Sequence, residues 1–151
     1  MTAQAFEILI INGEIHKMAM EPLESYFKQL KSKPMFEAPN TALWRGYIGK
    51  WELKEDKLYL IEFNGIIEGY VNVDINFIFP GQPSVFADWF TGEIRIPQGK
   101  LIDYVHGGFL SEYENDLFLN FTNGELTGSR TVKNEPKVYI EYDENNDDLP
   151  F

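Results

Sequence analysis

Apolar residues repeat with the period of an α-helix in one segment of the chain, "EPLESYFKQLKSKP". The apolar positions that follow the i, i+3, i+4, i+7 pattern are Leu23, Tyr26, Phe27 and Leu30. Pro22 suits the first helical turn, where its missing N–H is not needed, and Pro34 terminates the segment. The pattern therefore predicts an amphipathic helix over residues 22–32, with one apolar stripe that packs on a sheet.

Most of the remaining chain consists of short apolar or alternating runs separated by turn residues. Eight runs are typical of strands: AFEILII, EIHKMA, ALWRGYIGKWEL, LYLIEF, GEIRIP, KLIDYVH, DLFLNF and KVYIEY. Asn-Gly pairs at 12–13, 64–65 and 123–124 predict tight hairpins. Residues 71–86 are predicted to form a partly packed loop. The fold class we predict is a β-dominated α+β protein. We expect a curved antiparallel sheet, sandwich or barrel of about eight strands, with the helix packed on it.

Length and composition are typical of one globular domain. The 151 residues are 44% hydrophobic and 15% aromatic, which is enough for a conventional core. We expect this domain to span residues 1–140 and to be followed by an acidic tail, "EYDENNDDLPF", over residues 141–151. No run of apolar residues is long enough for a membrane span, and no basic residue precedes the first apolar run as in a signal peptide. The absence of cysteine excludes a disulfide scaffold and a cysteine nucleophile, and it suits a reducing, cytoplasmic location.

The formal net charge of −11 limits the kinds of partner. Five acidic residues lie in the tail, so residues 1–140 carry −6. An acidic surface repels phosphate backbones and accelerates association with a basic protein, so we expect a basic protein partner and no nucleic acid. The alternative is that the charge serves solubility alone. The charge pattern specifies no oligomeric state.

The segment from Val85 to Gly108, "VFADWFTGEIRIPQGKLIDYVHGG", contains residue types that perform acid–base chemistry. Asp88 and His106 are the candidate catalytic pair, and the alternative is a histidine that only packs and hydrogen-bonds. No phosphate-binding glycine motif, G-x-S-x-G elbow or H-E-x-x-H motif is present. With two histidines and no cysteine, we expect no metal site and no cofactor.

Aromatic side chains close to charged ones are the other candidate site. The residues that could contact a sugar or another small polar ligand are Trp44, Arg45, Tyr47, Trp89 and Tyr104. The alternative is that these rings fill the core, as aromatic residues of β-proteins commonly do. Because adjacent strand residues face opposite ways, Trp44 or Arg45 must point either to solvent or to a specific partner.

The succession ALWRGY, ADWFTGEIRIPQG and YVHGG resembles a family of small uncharacterised bacterial cytosolic proteins, over residues 41–119. The resemblance implies a bacterial source and a single-domain protein, and it implies no activity, cofactor or catalytic residue.

Three functions follow from these patterns, in order of preference. The first is a non-enzymatic binding protein whose acidic surface engages a basic partner, as immunity proteins or inhibitors do. The second is a small-molecule or carbohydrate binder that uses the Trp/Tyr cluster. The third is a small hydrolase or isomerase in which Asp88 and His106 form the acid–base pair.

Overall fold

Short apolar runs joined by turns form nine strands and two short helices in residues 2–135, the part of the chain that this computed structural model describes. The result is a β-dominated α+β fold, as predicted. In chain order the elements are β1 (Glu7–Ile11), β2 (Glu14–Met18), α1 (Pro22–Phe27), β3 (Tyr47–Lys54), β4 (Lys57–Ile67), β5 (Val71–Val73), α2 (Ile75–Ile78), β6 (Val85–Phe86), β7 (Gly92–Asp103), β8 (Glu112–Thr122) and β9 (Glu125–Lys133).

The strands form a single mixed sheet in the order β2-β1-β3-β4-β9-β8-β7, and β5 and β6 both pair with β4. Every pair is antiparallel except β1 and β3, which run parallel with Leu9 opposite Trp51. The sheet is therefore mixed, whereas we predicted an antiparallel sheet. Residues 12–46, which contain β2 and α1, form the long crossover connection that a parallel pair requires.

The two edge strands of the sheet, β2 and β7, approach each other but do not close a barrel. The Ala19 N–H donates to the Arg95 carbonyl at 2.9 Å. Along a strand, every second residue directs its backbone groups to the same edge. Pro97 follows Arg95 by two residues, so its nitrogen also faces β2. Proline has no N–H to donate, and this stops further pairing. A cavity of about 630 Å³ lies where the strands diverge, with Lys17 and Pro97 in its walls.

Helix α1 is shorter than predicted: it spans Pro22–Phe27, where residues 22–32 were expected. Beyond it, the Gln29 and Leu30 N–H groups donate to carbonyls three residues back, so the last turn tightens and the helix ends. Leu23 and Phe27 are buried against the sheet, whereas Leu30 is 36% exposed. The predicted apolar stripe packs as expected over the first two turns, and Leu30 lacks the burial that would sustain a third.

Two of the three Asn-Gly pairs form the predicted hairpin turns. Asn12-Gly13 joins β1 to β2, and Asn123-Gly124 joins β8 to β9, with positive φ at all four residues. The third prediction is wrong, because Asn64 and Gly65 lie inside β4, opposite Ile48 and Tyr47. A Cβ on Gly65 would lie 2.8 Å from the Phe63 ring and 3.0 Å from Phe36. Gly65 therefore serves aromatic packing rather than a turn.

Inside the curved sheet, the hydrophobic core is predominantly aromatic and aliphatic. Its largest fully buried side chains are Trp51, Tyr47, Phe27, Phe63, Phe90, Leu9, Met18, Leu23, Leu58, Leu60, Ile94 and Ile96. Residues 71–86, which we expected to be a loop, contain β5, α2 and β6. The predicted strand KVYIEY and the acidic tail over 141–151 lie outside the described residues.

We expect Gly124→Ala to destabilise the protein much more than Gly13→Ala, although both glycines occupy the same turn position. Both adopt φ near +80°, which costs alanine about 1 kcal/mol or more. A Cβ at Gly124 would also lie 2.5 Å from the Ala87 carbonyl oxygen, whereas a Cβ at Gly13 meets nothing within 4 Å. Urea unfolding should therefore show an extra loss of about 2 kcal/mol for Gly124→Ala. Equal losses would contradict this account of the β8–β9 turn.

Candidate functional site

An open cleft of about 630 Å³ lies between the start of α1, the chain that follows it and the loop before β3. We call it the acidic cleft, and its lining residues are Gln4, Glu21, Glu24, Lys33, Pro34, Met35, Phe36, Trp44, Arg45 and Gly108. A smaller cavity of about 330 Å³ shares four of these residues and extends the cleft along Ala19, Met20 and Phe109. Carboxylates, one indole and two cations thus share one concave surface.

Helix α1 places the two carboxylates of the cleft. Glu21 is the residue before the helix, and Glu24 lies in its first turn, so both are at the positive end of the helix. The Glu24 carboxylate accepts a hydrogen bond from the Tyr47 hydroxyl at 2.8 Å, and it forms an ion pair with Lys33 Nζ at 3.1 Å. Glu21 has a looser contact, with Arg45 Nη1 at 3.8 Å. Among the described residues, Glu24 therefore has two close partners, whereas Glu21 has only this looser contact.

Trp44 forms an open wall of the cleft. Its backbone N–H donates to Gln4 Oε1 at 2.8 Å, and the Gln4 amide donates in turn to the Thr41 carbonyl at 2.9 Å. These bonds fix the backbone of the loop while the indole stays 52% exposed. An exposed tryptophan on a fixed loop can stack on a planar or cationic ligand without rearrangement of the backbone.

Arg45, at the base of the cleft, connects it to the core. Its side chain is only 6% exposed, and Nη2 forms a 2.9 Å ion pair with Glu7, which is completely buried. Nη1 donates to the Ala5 carbonyl at 2.8 Å, and the buried Nε has no hydrogen-bond partner in the part of the chain that is described. The guanidinium also lies over the Tyr47 ring, 5.5 Å from its centroid. One cation therefore serves both a core carboxylate and a cleft carboxylate.

The buried Glu7 carboxylate is held by three donors. Besides Arg45, the Gly49 N–H donates to it at 2.7 Å and the Trp51 indole N–H at 3.2 Å. Burial nevertheless raises the pKa of Glu7 from 4.5 to about 7, because the loss of solvation outweighs the attraction of Arg45 and these hydrogen bonds. Glu7 is thus a core carboxylate that titrates near neutral pH.

Burial likewise raises the pKa of Glu21, with a further contribution from the charge of Glu24, against the opposing effects of Arg45 and Lys33. The pKa of the Tyr47 hydroxyl is also raised, first by burial and then by the charges of Glu7 and Glu24. Tyr47 therefore remains protonated and donates to Glu24. Three carboxylates, Glu7, Glu21 and Glu24, face two cations, Arg45 and Lys33, so the ionised cluster has one negative charge in excess.

Of the five residues proposed for ligand binding, three belong to this site. Trp44 and Arg45 line the cleft, and the buried Tyr47 contacts it through its hydroxyl. Trp89 lies elsewhere: its indole N–H donates to the Pro22 carbonyl, and its ring stacks on Phe79 beneath α1. The structure does not bring Tyr104 to the cleft, since its exposed ring lies against His106.

Asp88 and His106 do not form an acid–base pair in the structure. Asp88 is exposed next to β6, and His106 is exposed after β7, edge-on to the Tyr104 ring at 4.6 Å between centroids. Neither a hydrogen bond nor an ion pair joins the two residues within the described part of the chain. Their arrangement gives no support to acid–base catalysis by this pair.

Glu7, Glu21 and Glu24 were not identified as site residues from the sequence. Glu21 and Glu24 look like ordinary acids at a helix N-terminus, and Glu7 looks like a polar residue on the wet side of a strand. The sequence contains one signal that Glu7 faces the core. Glu7 interrupts the apolar run "AFEILII" two residues before Leu9, so both side chains lie on the same face of the strand.

Among residues 2–135, no group of three or more His, Asp or Glu side chains is arranged to hold a metal ion. Within the same residues, neither helix is long and apolar enough to cross a membrane. No protein-family model matches the chain, and neither curated proteins nor solved structures give a significant match. The candidate site therefore depends on the geometry of this chain alone.

Glu7 should make stability depend on pH near neutrality. Its pKa is about 7 in the folded protein and 4.5 in its ordinary state, so between these values the folded state binds more protons. The free energy of unfolding should therefore rise as pH falls from about 7 to about 4.5, by up to about 3 kcal/mol from this residue. We expect Glu7→Gln to remove that part of the dependence. Urea unfolding of both proteins at several pH values measures it, and parallel pH curves would contradict the prediction.

Removal of Arg45 alone should be more damaging than removal of the whole ion pair. Arg45→Met leaves Glu7 buried without its cation, which typically costs about 3–5 kcal/mol. The double variant Glu7→Leu, Arg45→Met has no buried charge to solvate and should recover about half of that loss. Thermal and urea unfolding of the single and double variants give the comparison. A double variant less stable than Arg45→Met would contradict the prediction, because it would show that Glu7 without Arg45 carries no cost of an unpaired buried charge.

Proposed function

We propose that the protein is a non-enzymatic binding protein that engages a basic protein partner, and that its acidic cleft receives a lysine or arginine side chain of that partner. The observation that carries the proposal is the exposed indole of Trp44 in the same cleft as the carboxylates of Glu21 and Glu24. An aromatic face combined with carboxylates suits cation recognition, through cation–π attraction and charge-assisted hydrogen bonds.

Incomplete pairing of Glu21 supports this proposal. Its only ion pair within residues 2–135, with Arg45 at 3.8 Å, involves a guanidinium that Glu7 already contacts at 2.9 Å. A partly buried carboxylate without a close partner is unfavourable, and a cation entering the cleft would relieve that cost. The excess negative charge of the cluster acts in the same direction.

The overall charge of −11 supports the same kind of partner at long range. It would steer a basic protein toward the surface and raise the association rate at low salt. The cleft would then supply the short-range contacts that distinguish one partner from other basic proteins. Long-range attraction and local recognition thus favour the same class of ligand.

The proposal is tested with a defined probe, acetyl-Arg-Arg-Arg-amide, and its tri-glutamine counterpart as the neutral control. Binding is followed by the fluorescence of Trp44, and Trp44→Phe verifies the origin of the signal. We expect the double variant Glu21→Gln, Glu24→Gln to lose about tenfold or more in affinity, since each hydrogen bond to a charged group is worth about 1.5–3 kcal/mol. Binding should also weaken with added salt.

The matched control is Glu55→Gln, Asp56→Asn, which removes the same formal charge at exposed positions in the β3–β4 turn. This variant should bind the probe within about twofold of the unmodified protein, because exposed charges contribute little to a distant site. Equal affinity of the cleft variant and the control would reject the cleft as the binding site. A lysate protein captured by the control and not by the cleft variant would identify the partner.

A small neutral polar ligand, such as a sugar, is the second candidate for the same cleft. The exposed Trp44 ring favours it, since sugars stack on such rings and hydrogen-bond to neighbouring carboxylates. Titration with neutral oligosaccharides under the same fluorescence readout separates the two candidates. Sugar binding that is insensitive to salt, without binding of the arginine peptide, would favour the sugar.

A further inference from the structure

Five ionisable groups lie between the core and the acidic cleft. Glu7 contacts Arg45 Nη2, and Arg45 Nη1 faces Glu21 at 3.8 Å. Glu24, whose charge acts on Glu21, forms an ion pair with Lys33 at 3.1 Å. Glu7 itself is fully buried, so it cannot touch a ligand in the cleft. It can affect that ligand only through the guanidinium that it shares with Glu21.

We infer that the acidic cleft exchanges protons for its cationic ligand: a cation in the cleft and a proton on the Glu7–Arg45–Glu21 cluster neutralise the same excess charge, so each weakens the binding of the other. This inference rests on the proposed function, because it describes the regulation of the same site. It makes Glu7 a positioning residue that acts through Arg45. The protein would hold its ligand above neutral pH and release it below.

The groups around this cluster carry charges of both signs. Within residues 2–135, the charges that act on Glu21 are those of Arg45, Glu24 and Lys33, and the charge that acts on Glu7 is that of Arg45. The neutral hydroxyl of Tyr47 lies next to Arg45, and His16 and Lys17 line a separate cavity together with Glu7. With all carboxylates ionised, the cluster has one uncompensated negative charge. Protonation of Glu7, whose pKa is raised to about 7, removes that charge and leaves Arg45 wholly to Glu21. The cleft then offers less attraction to a second cation.

Thermodynamic linkage makes the effect reciprocal, so a bound cation must release a proton in the same pH range. For one group that titrates near pH 7 and is ionised in the complex, the affinity falls about tenfold from pH 8 to pH 6. Acetyl-Arg-Arg-Arg-amide does not titrate between these values, so it is a suitable probe. Calorimetry at pH 6 in two buffers of different ionisation enthalpy gives the number of protons released.

Two variants locate the origin of the effect. Glu7→Gln keeps residue 7 neutral at all pH values, so its affinity at pH 8 should be at least about tenfold lower than that of the unmodified protein and nearly independent of pH. His106→Gln is the control, because it changes an ionisable side chain that lies outside the cleft lining, and it should retain the full dependence. If Glu7→Gln fails to fold, the calorimetric measurement of proton release by the unmodified protein still tests the exchange.

Each result has a distinct meaning. Proton release with a pH-dependent affinity, lost in Glu7→Gln and kept in His106→Gln, supports the exchange. Binding that needs Glu21 and Glu24 but releases no proton overturns the exchange and leaves the proposed function intact. Glu7→Gln binding that equals the unmodified protein at pH 8 and at pH 6 overturns the role of Glu7. Absence of peptide binding at any pH overturns the proposed function and the exchange together.

Discussion

The buried ion pair between Arg45 and Glu7 is the contact on which the site and much of the local fold depend. Glu7 begins β1, Arg45 precedes β3, and the Gly49 N–H of β3 donates to the same carboxylate. The pair therefore lies where the parallel strands β1 and β3 start together. A charge inside a hydrophobic core is tolerated only when it is paired and hydrogen-bonded. This requirement fixes the loop before β3, because Arg45 must reach inward from it.

That requirement also determines what the cleft can be. Arg45 lies inward with Glu7, and its neighbour Trp44 remains outside with an exposed ring. The start of α1 then brings Glu21 to the free side of the same guanidinium. The cleft is therefore the outer end of a core network, so stability and the proposed ligand binding would share one set of charges. Exposed acids such as Glu55 have no such connection, because solvent and salt screen them.

Local features of the fold were predictable from the sequence, and long-range ones were not. The hairpins at Asn12-Gly13 and Asn123-Gly124 and the buried face of α1 follow from turn chemistry and periodicity. Gly65 is also preceded by an asparagine but lies in a strand, because the Phe63 ring occupies the space where a Cβ of residue 65 would lie. The parallel pairing of β1 with β3 also depends on distant contacts. In the site, Trp44 and Arg45 were identified by their adjacency. Glu7, Glu21 and Glu24 were not, because only packing between separate segments buries them.

Net charge and local charge have different consequences for recognition. The overall charge of −11 attracts any basic macromolecule, and ionic strength near physiological values screens that attraction beyond about 8 Å. A carboxylate such as Glu21, partly buried beside Arg45, is screened less and would act on any group that enters the cleft. For the proposed basic partner, general acidity would therefore control how often it arrives, whereas the cleft would control whether it remains. Because the cleft charge is shared with Glu7, whose burial raises its pKa to about 7, the second step would depend on pH in a way that the first would not.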